Sequence, residues 1–133
     1  MTKAEYLLCQ RGVLLFLLAL VLGFFIPVFP VKQLVLGVHQ AAIESGTFLI
    51  AAGFVWPKFA WSARKALIVA RVTWMSFYGL MFGLTCAALI AGKTDVPGLG
   101  KIVILMLNVG GSLLILAVTV MMLFAFRGVA VKE

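Results

Sequence analysis

The chain contains one histidine, His39, within a segment apolar enough for lipid: LGVHQAAIESGTFLIAAGFVWPKF, residues 36–59. Gln40, Glu44 and Ser45 lie within two helical turns of it. An imidazole can bind a metal, move a proton or hydrogen-bond a neighbour, and a nearby carboxylate can move protons. Ionisable groups inside a membrane helix cost about 2.5–3.5 kcal/mol each on insertion scales, so their presence calls for a chemical reason. Tyr78 on a later apolar segment, and Asn108 with Ser112 on the last one, are the other side chains with the means to hold or orient a ligand.

Spacing limits what the histidine can do. At positions i and i+5 of a helix, His39 and Glu44 point about 140° apart, which disfavours a two-residue metal site. Gln40 and Glu44, at i and i+4, can share a hydrogen bond or a proton. Cys9 and Cys86 lie on different segments, and no CxxC or CxxCH is present. Covalent c-type haem and a four-cysteine cluster are therefore excluded. On its own helical face His39 is followed by Ile43, Gly46, Ile50 and Gly53. Glycines at Gly46 and Gly53 clear space beside the imidazole, as a flat ligand would need, and haem is the flat ligand suited to both imidazole and hydrocarbon. A structural histidine satisfied by its neighbours is the plainer reading. With one histidine per chain, a haem held here is five-coordinate, and its open ferric face acts as a Lewis acid rather than an electron carrier.

The elements that position these groups follow from composition. The chain has 133 residues, 65% hydrophobic and 11% charged, against about 45–50% and 25% in soluble domains. Four apolar runs, at about 13–29, 34–56, 66–90 and 102–126, have the lengths of spanning helices. The first ends in IPVFP rather than a small-residue cleavage site, so it reads as retained rather than as a signal peptide. Short connections make neighbouring helices antiparallel. The expected fold is all-α, a single membrane domain of four helices over residues 1–133. The net charge of +7 sits at the ends of the apolar runs, a pattern of membrane topology and not of nucleic-acid binding. Lys3, Arg11, Lys58, Arg64, Lys65, Arg127 and Lys132 fall on one side, and Lys32, Lys93 and Lys101 on the other. Both termini are therefore expected to be cytoplasmic, with Trp56 and Trp61 as anchors at that surface.

Counting 1.5 Å per residue from the helix ends brings His39 and Asn108 to matched depth, about 8–9 Å below the outer surface. Glu44, Ser45, Ser112 and Tyr78 fall near the middle, so these side chains can line one site in the outer half of the bundle. The plainer readings are packing for Tyr78, within the stripe Arg71, Trp74, Tyr78 and Thr85, and helix–helix contact for Asn108, Gly111, Ser112, Ile115 and Thr119. Arg71 reads as a snorkelling cation.

The motif H39-QAAIES-G46-TFLIAAGFVW-P57, the first span RGVLLFLLALVLGFF and the pair Phe77-Tyr78 resemble the styrene oxide isomerase and hydroxylaminobenzene mutase group of small membrane enzymes. The short length and the WPK ending look closer to the mutase branch. The resemblance implies a homotrimer binding haem b at subunit interfaces, with His39 as axial ligand of the iron; the shared helical face and the matched depth add Gly46 and Asn108 beside the cofactor. It implies that Tyr78 helps hold an aromatic substrate. Ser45 stands where the isomerases carry asparagine, which favours rearrangement of an arylhydroxylamine to an aminophenol over opening of an epoxide to an aldehyde. Glu44, Ser45 and Tyr78 are then the groups that manage protons, in a protein of the bacterial inner membrane. The rival from another class is a small proton-coupled multidrug-type transporter using Glu44. Those carriers place their glutamate in the first span, which here has no charge. A structural subunit of a larger complex is a third reading.

Overall fold

Pro27 and Pro57 act alike. Each is the second residue of a single 3₁₀ turn, Ile26–Val28 and Trp56–Lys58, where its fixed φ fits and its missing N–H cannot extend the preceding helix. Helix starts are equally local. The side-chain oxygen of Thr2 accepts from the Glu5 amide, and that of Ser62 accepts from the Lys65 amide, each at 3.4 Å. These bonds satisfy first-turn donors that a helix leaves unpaired.

The computed structural model describes residues 1–59, 61–91, 93 and 97–127, apart from the side chains of Phe126 and Arg127. Its helices are α1 (Lys3–Phe25), α2 (Lys32–Val55), α3 (Ala63–Ile90) and α4 (Gly98–Arg127). No strand occurs among the described residues. All four helices are long and apolar enough to cross a membrane, so the all-α, four-helix membrane architecture expected from the pattern is the one observed. Lys132, used in the charge count, and residues 92 and 94–96 of the third connection lie outside the described residues. α1 starts at Lys3, well ahead of the apolar run at Val13, because the Thr2 cap carries the helix through its polar first turns.

α1 and α2 pack antiparallel at close range. A Cβ on Gly12 would lie 2.7 Å from the Gly46 carbonyl oxygen, and one on Gly46 would lie 2.9 Å from that of Gly12. Gly53 meets Cys9 in the same way, at 2.5 Å from its sulfur. Small residues let backbones approach where lipid offers no hydrophobic drive for association. This corrects one expectation. The space over Gly46 and Gly53 is filled by α1 itself and is not free for a macrocycle.

The resulting register sets Gly12 opposite Gly46 and Ala19 opposite His39. α3 lies against both helices of this pair, with Leu15, Leu49, Phe77 and Met81 in the shared core. α4 packs chiefly on α3, where Gly111 approaches Leu80. Large apolar side chains such as Phe24, Phe54 and Met106 point outward, as expected for lipid contact.

Candidate active site

The half-buried ring of His39 is held at two points. Its Nδ1 lies 2.8 Å from the carbonyl oxygen of Ala19. A carbonyl can only accept, so Nδ1 carries the proton, and the neutral ring then has its lone pair on Nε2. The second point is Gly23, one turn further along α1. A Cβ there would lie 2.9 Å from Cε1 of His39 and 3.2 Å from Nδ1. Only a residue without a side chain admits the ring in this position. An imidazole with Nδ1–H on a backbone carbonyl and Nε2 free is the arrangement commonly found for metal-bound histidines. Among the described residues no group of three His, Cys, Asp or Glu side chains is placed to hold a metal ion. Gly23 was not singled out from sequence. Its signal lay in the register of two helices.

Tyr78 lies on the other flank of α1. Its hydroxyl donates to the Arg11 carbonyl at 2.8 Å, and its ring meets Trp74 edge-on at 5.6 Å. The Arg11 guanidinium lies 4.9 Å from the centre of the Trp74 ring. Tyr78 also lines a cavity of about 260 Å³ between α1, α2 and α3. The other walls include Leu15, Leu18, Val38, Ala42, Phe82 and Thr85. The Thr85 hydroxyl donates to the Met81 carbonyl. The cavity is apolar, with Tyr78 and Thr85 as its polar side chains.

The remaining predicted site residues are dispersed. Ser45 is buried, and its hydroxyl donates to Ala41 of its own helix at 2.6 Å. Glu44, one position earlier, is exposed on the outward face of α2, as is Gln40. Asn108, expected at the depth of His39, sits in the interface between α3 and α4. Its Oδ1 is pressed against Gly83 of α3, 2.5 Å from where a Cβ would stand, and has no hydrogen-bond partner among the described residues. Ser112 donates to the Asn108 carbonyl. Depth matching thus aligned residues that lateral packing separates, since α4 rests on α3 and not on α2. His39 and Tyr78 are separated too. The carbonyls that hold them belong to residues eight apart on α1, about 12 Å along the helix axis.

Among curated proteins, the chain is similar to the hydroxylaminobenzene mutase HabB of Ectopseudomonas oleovorans, with 39% identity over 61 residues. That match covers 44% of this chain and 37% of the mutase, so the chain aligns with little more than a third of its relative's length. No solved structure matches. The pattern that defines the family described as styrene oxide isomerase matches residues 4–127, nearly the whole of the helical bundle. On that match the chain belongs to the styrene oxide isomerase family.

Proposed function

We propose that this protein is a haem b-dependent membrane isomerase that rearranges a one-ring aromatic substrate, an arylhydroxylamine, to an aminophenol. The observation that carries the reading is the bond from His39 Nδ1–H to Ala19, which leaves Nε2 as a lone-pair donor while the ring itself is seated against Gly23. His39 would hold the haem through Nε2. When bound there, haem b supplies a Lewis-acid iron that polarises an oxygen substituent on the substrate.

The chain's own residues account for the rest. The cavity of about 260 Å³ beside Tyr78 is roomy for one aromatic ring, since an apolar cavity of about 150 Å³ holds benzene. Its apolar walls exclude water, which would otherwise compete for an activated substrate. The Tyr78 hydroxyl has its proton committed to Arg11, so its oxygen remains free to accept an N–H or O–H from the substrate and fix its orientation. The reaction moves oxygen from nitrogen to a ring carbon. The N–O bond breaks and a C–O bond forms, the ring carbon loses its hydrogen as a proton and the nitrogen gains one, so the isomerisation consumes no oxidant or reductant and calls on the protein for proton transfers. Ser45, whose hydroxyl is tied to its own helix, is not placed to take part.

The separation of His39 from Tyr78 within one chain supports a homotrimer with the cofactor between copies, so that His39 of one copy works with Tyr78 of the next. The outward placement of Glu44 and Gln40 supports the same assembly, because a carboxylate facing lipid is costly. Covered by a neighbouring copy, Glu44 becomes available to move protons. In this reading the protein is a multi-pass protein of a bacterial inner membrane, with both termini on the cytoplasmic side.

The test is direct. Purified protein should show a Soret band that His39→Ala removes, and should convert phenylhydroxylamine to aminophenol. Haem-loaded protein that forms no aminophenol refutes the mutase reading. The family match favours a second substrate, so styrene oxide should be assayed in parallel for conversion to phenylacetaldehyde.

A further inference from the structure

A cavity of about 670 Å³ opens at the end of the bundle where α1 and α3 begin and α2 ends. It lies at the other end of α1 from His39 and Gly23. Gly53 faces Glu5 at this end, fourteen residues from Ala19 on α1, about 21 Å away along the axis. One wall is aromatic and tightly packed. Trp56 meets Phe59 edge-on at 5.6 Å, and Phe59 stacks on Trp61 at 4.8 Å. Lys65 Nζ lies 5.8 Å from the Trp61 ring centre.

The lining also carries cations. Lys3 and Arg64 line the cavity, and both are exposed. Glu5 also lines it, but its carboxylate accepts from the Thr2 hydroxyl, so two cations face one partnered anion. One buried donor is unused. Trp56 is 3% exposed, and its indole N–H has no acceptor among the described residues. An apolar wall, a basic mouth and a place at the boundary of four membrane helices together match one ligand chemistry. Basic residues near the bilayer surface attract anionic headgroups, while tryptophan settles at headgroup level.

We propose that this cavity binds an anionic phospholipid, with its phosphate between Lys3 and Arg64 and its glycerol and first acyl carbons against Trp56, Phe59 and Trp61. The site does not depend on the isomerase reading. It ties the ends of three helices to one lipid molecule.

Tryptophan quenching tests this. The chain has three tryptophans, so a Trp74→Phe background leaves Trp56 and Trp61 as reporters. The protein is placed in phosphatidylcholine nanodiscs containing a small fraction of brominated phosphatidylglycerol or brominated phosphatidylcholine. Preferential quenching by the anionic lipid is expected. Each basic residue near a bilayer surface strengthens binding by about fivefold, so the preference should be tenfold or more and should fall towards parity in Lys3→Gln/Arg64→Gln. Wild-type protein in detergent should likewise gain thermal stability from phosphatidylglycerol and little from phosphatidylcholine. Equal quenching by the two lipids overturns the proposal, as does an undiminished preference in the double variant. Loss of the preference on adding millimolar inorganic phosphate overturns the lipid as occupant and identifies a free-phosphate site.

Discussion

Gly23→Ala isolates the contact that sets the imidazole. The added Cβ would stand 2.9 Å from Cε1 and 3.2 Å from Nδ1 of His39, closer than non-bonded carbon atoms pack. The ring cannot retreat into α1, because Ala19 already holds it at 2.8 Å. It must swing outward by several tenths of an ångström, which lengthens that hydrogen bond and redirects Nε2. A hydrogen bond of this kind contributes about 0.5–1.5 kcal/mol, and overpacking costs about 1–3 kcal/mol. The gain in helix propensity from glycine to alanine, about 1 kcal/mol, offsets part of that cost to folding. It does nothing for ligand geometry. Loss of an orienting partner typically weakens metal affinity about 10–100-fold. On the proposed haem reading, the expected result is therefore a Tm lowered by several degrees together with haem affinity lowered at least tenfold, read as Soret absorbance per protein and as the rate of haem loss to a scavenging apoprotein. Gly37→Ala and Gly79→Ala are controls, since a Cβ at either meets nothing within 4 Å. If Gly23→Ala keeps wild-type haem affinity while His39→Ala loses it, the placement of the ring against α1 is wrong.

Gly46→Ala should destabilise the bundle by about 1–3 kcal/mol, because its Cβ meets the backbone of Gly12 and Phe16. Thermal unfolding in detergent, with Gly110→Ala as the open-space control, would measure it. Tyr78→Phe removes the hydroxyl bonded to Arg11 and should lower kcat/KM on phenylhydroxylamine about tenfold or more while leaving the Soret spectrum unchanged. An unaltered kcat/KM would remove Tyr78 from the substrate site. Ser45→Ala loses only a bond to its own helix and should change Tm and turnover little. A large loss of turnover at constant stability would restore Ser45 to the chemistry.

Much of the architecture is legible in the sequence because it obeys local rules. IPVF and WPKF stop helices through proline, Thr2 and Ser62 start them, and the four apolar runs have the length of a bilayer. The special status of His39 is equally legible, since a lone ionisable ring in lipid is conspicuous without any coordinates. The site around it is not. Matched depth grouped His39 with Asn108, and helical spacing assigned Gly46 to a ligand. Both inferences treat a helix as if its neighbours were unknown, and here α1 covers Gly46 while α3 holds Asn108.

Composition and periodicity by themselves determined that this chain forms four membrane-length helices with a single imidazole in the second, because hydropathy and turn chemistry act over a few residues at a time. Only the tertiary structure decided which nitrogen of that imidazole is free, that Gly23 makes room for it, and that Tyr78 bonds to α1 eight residues away from where His39 does. Those outcomes depend on the register and lateral order of helices, which are settled by contacts between residues distant in sequence. A glycine such as Gly23 carries no mark of its partner until two backbones are laid side by side.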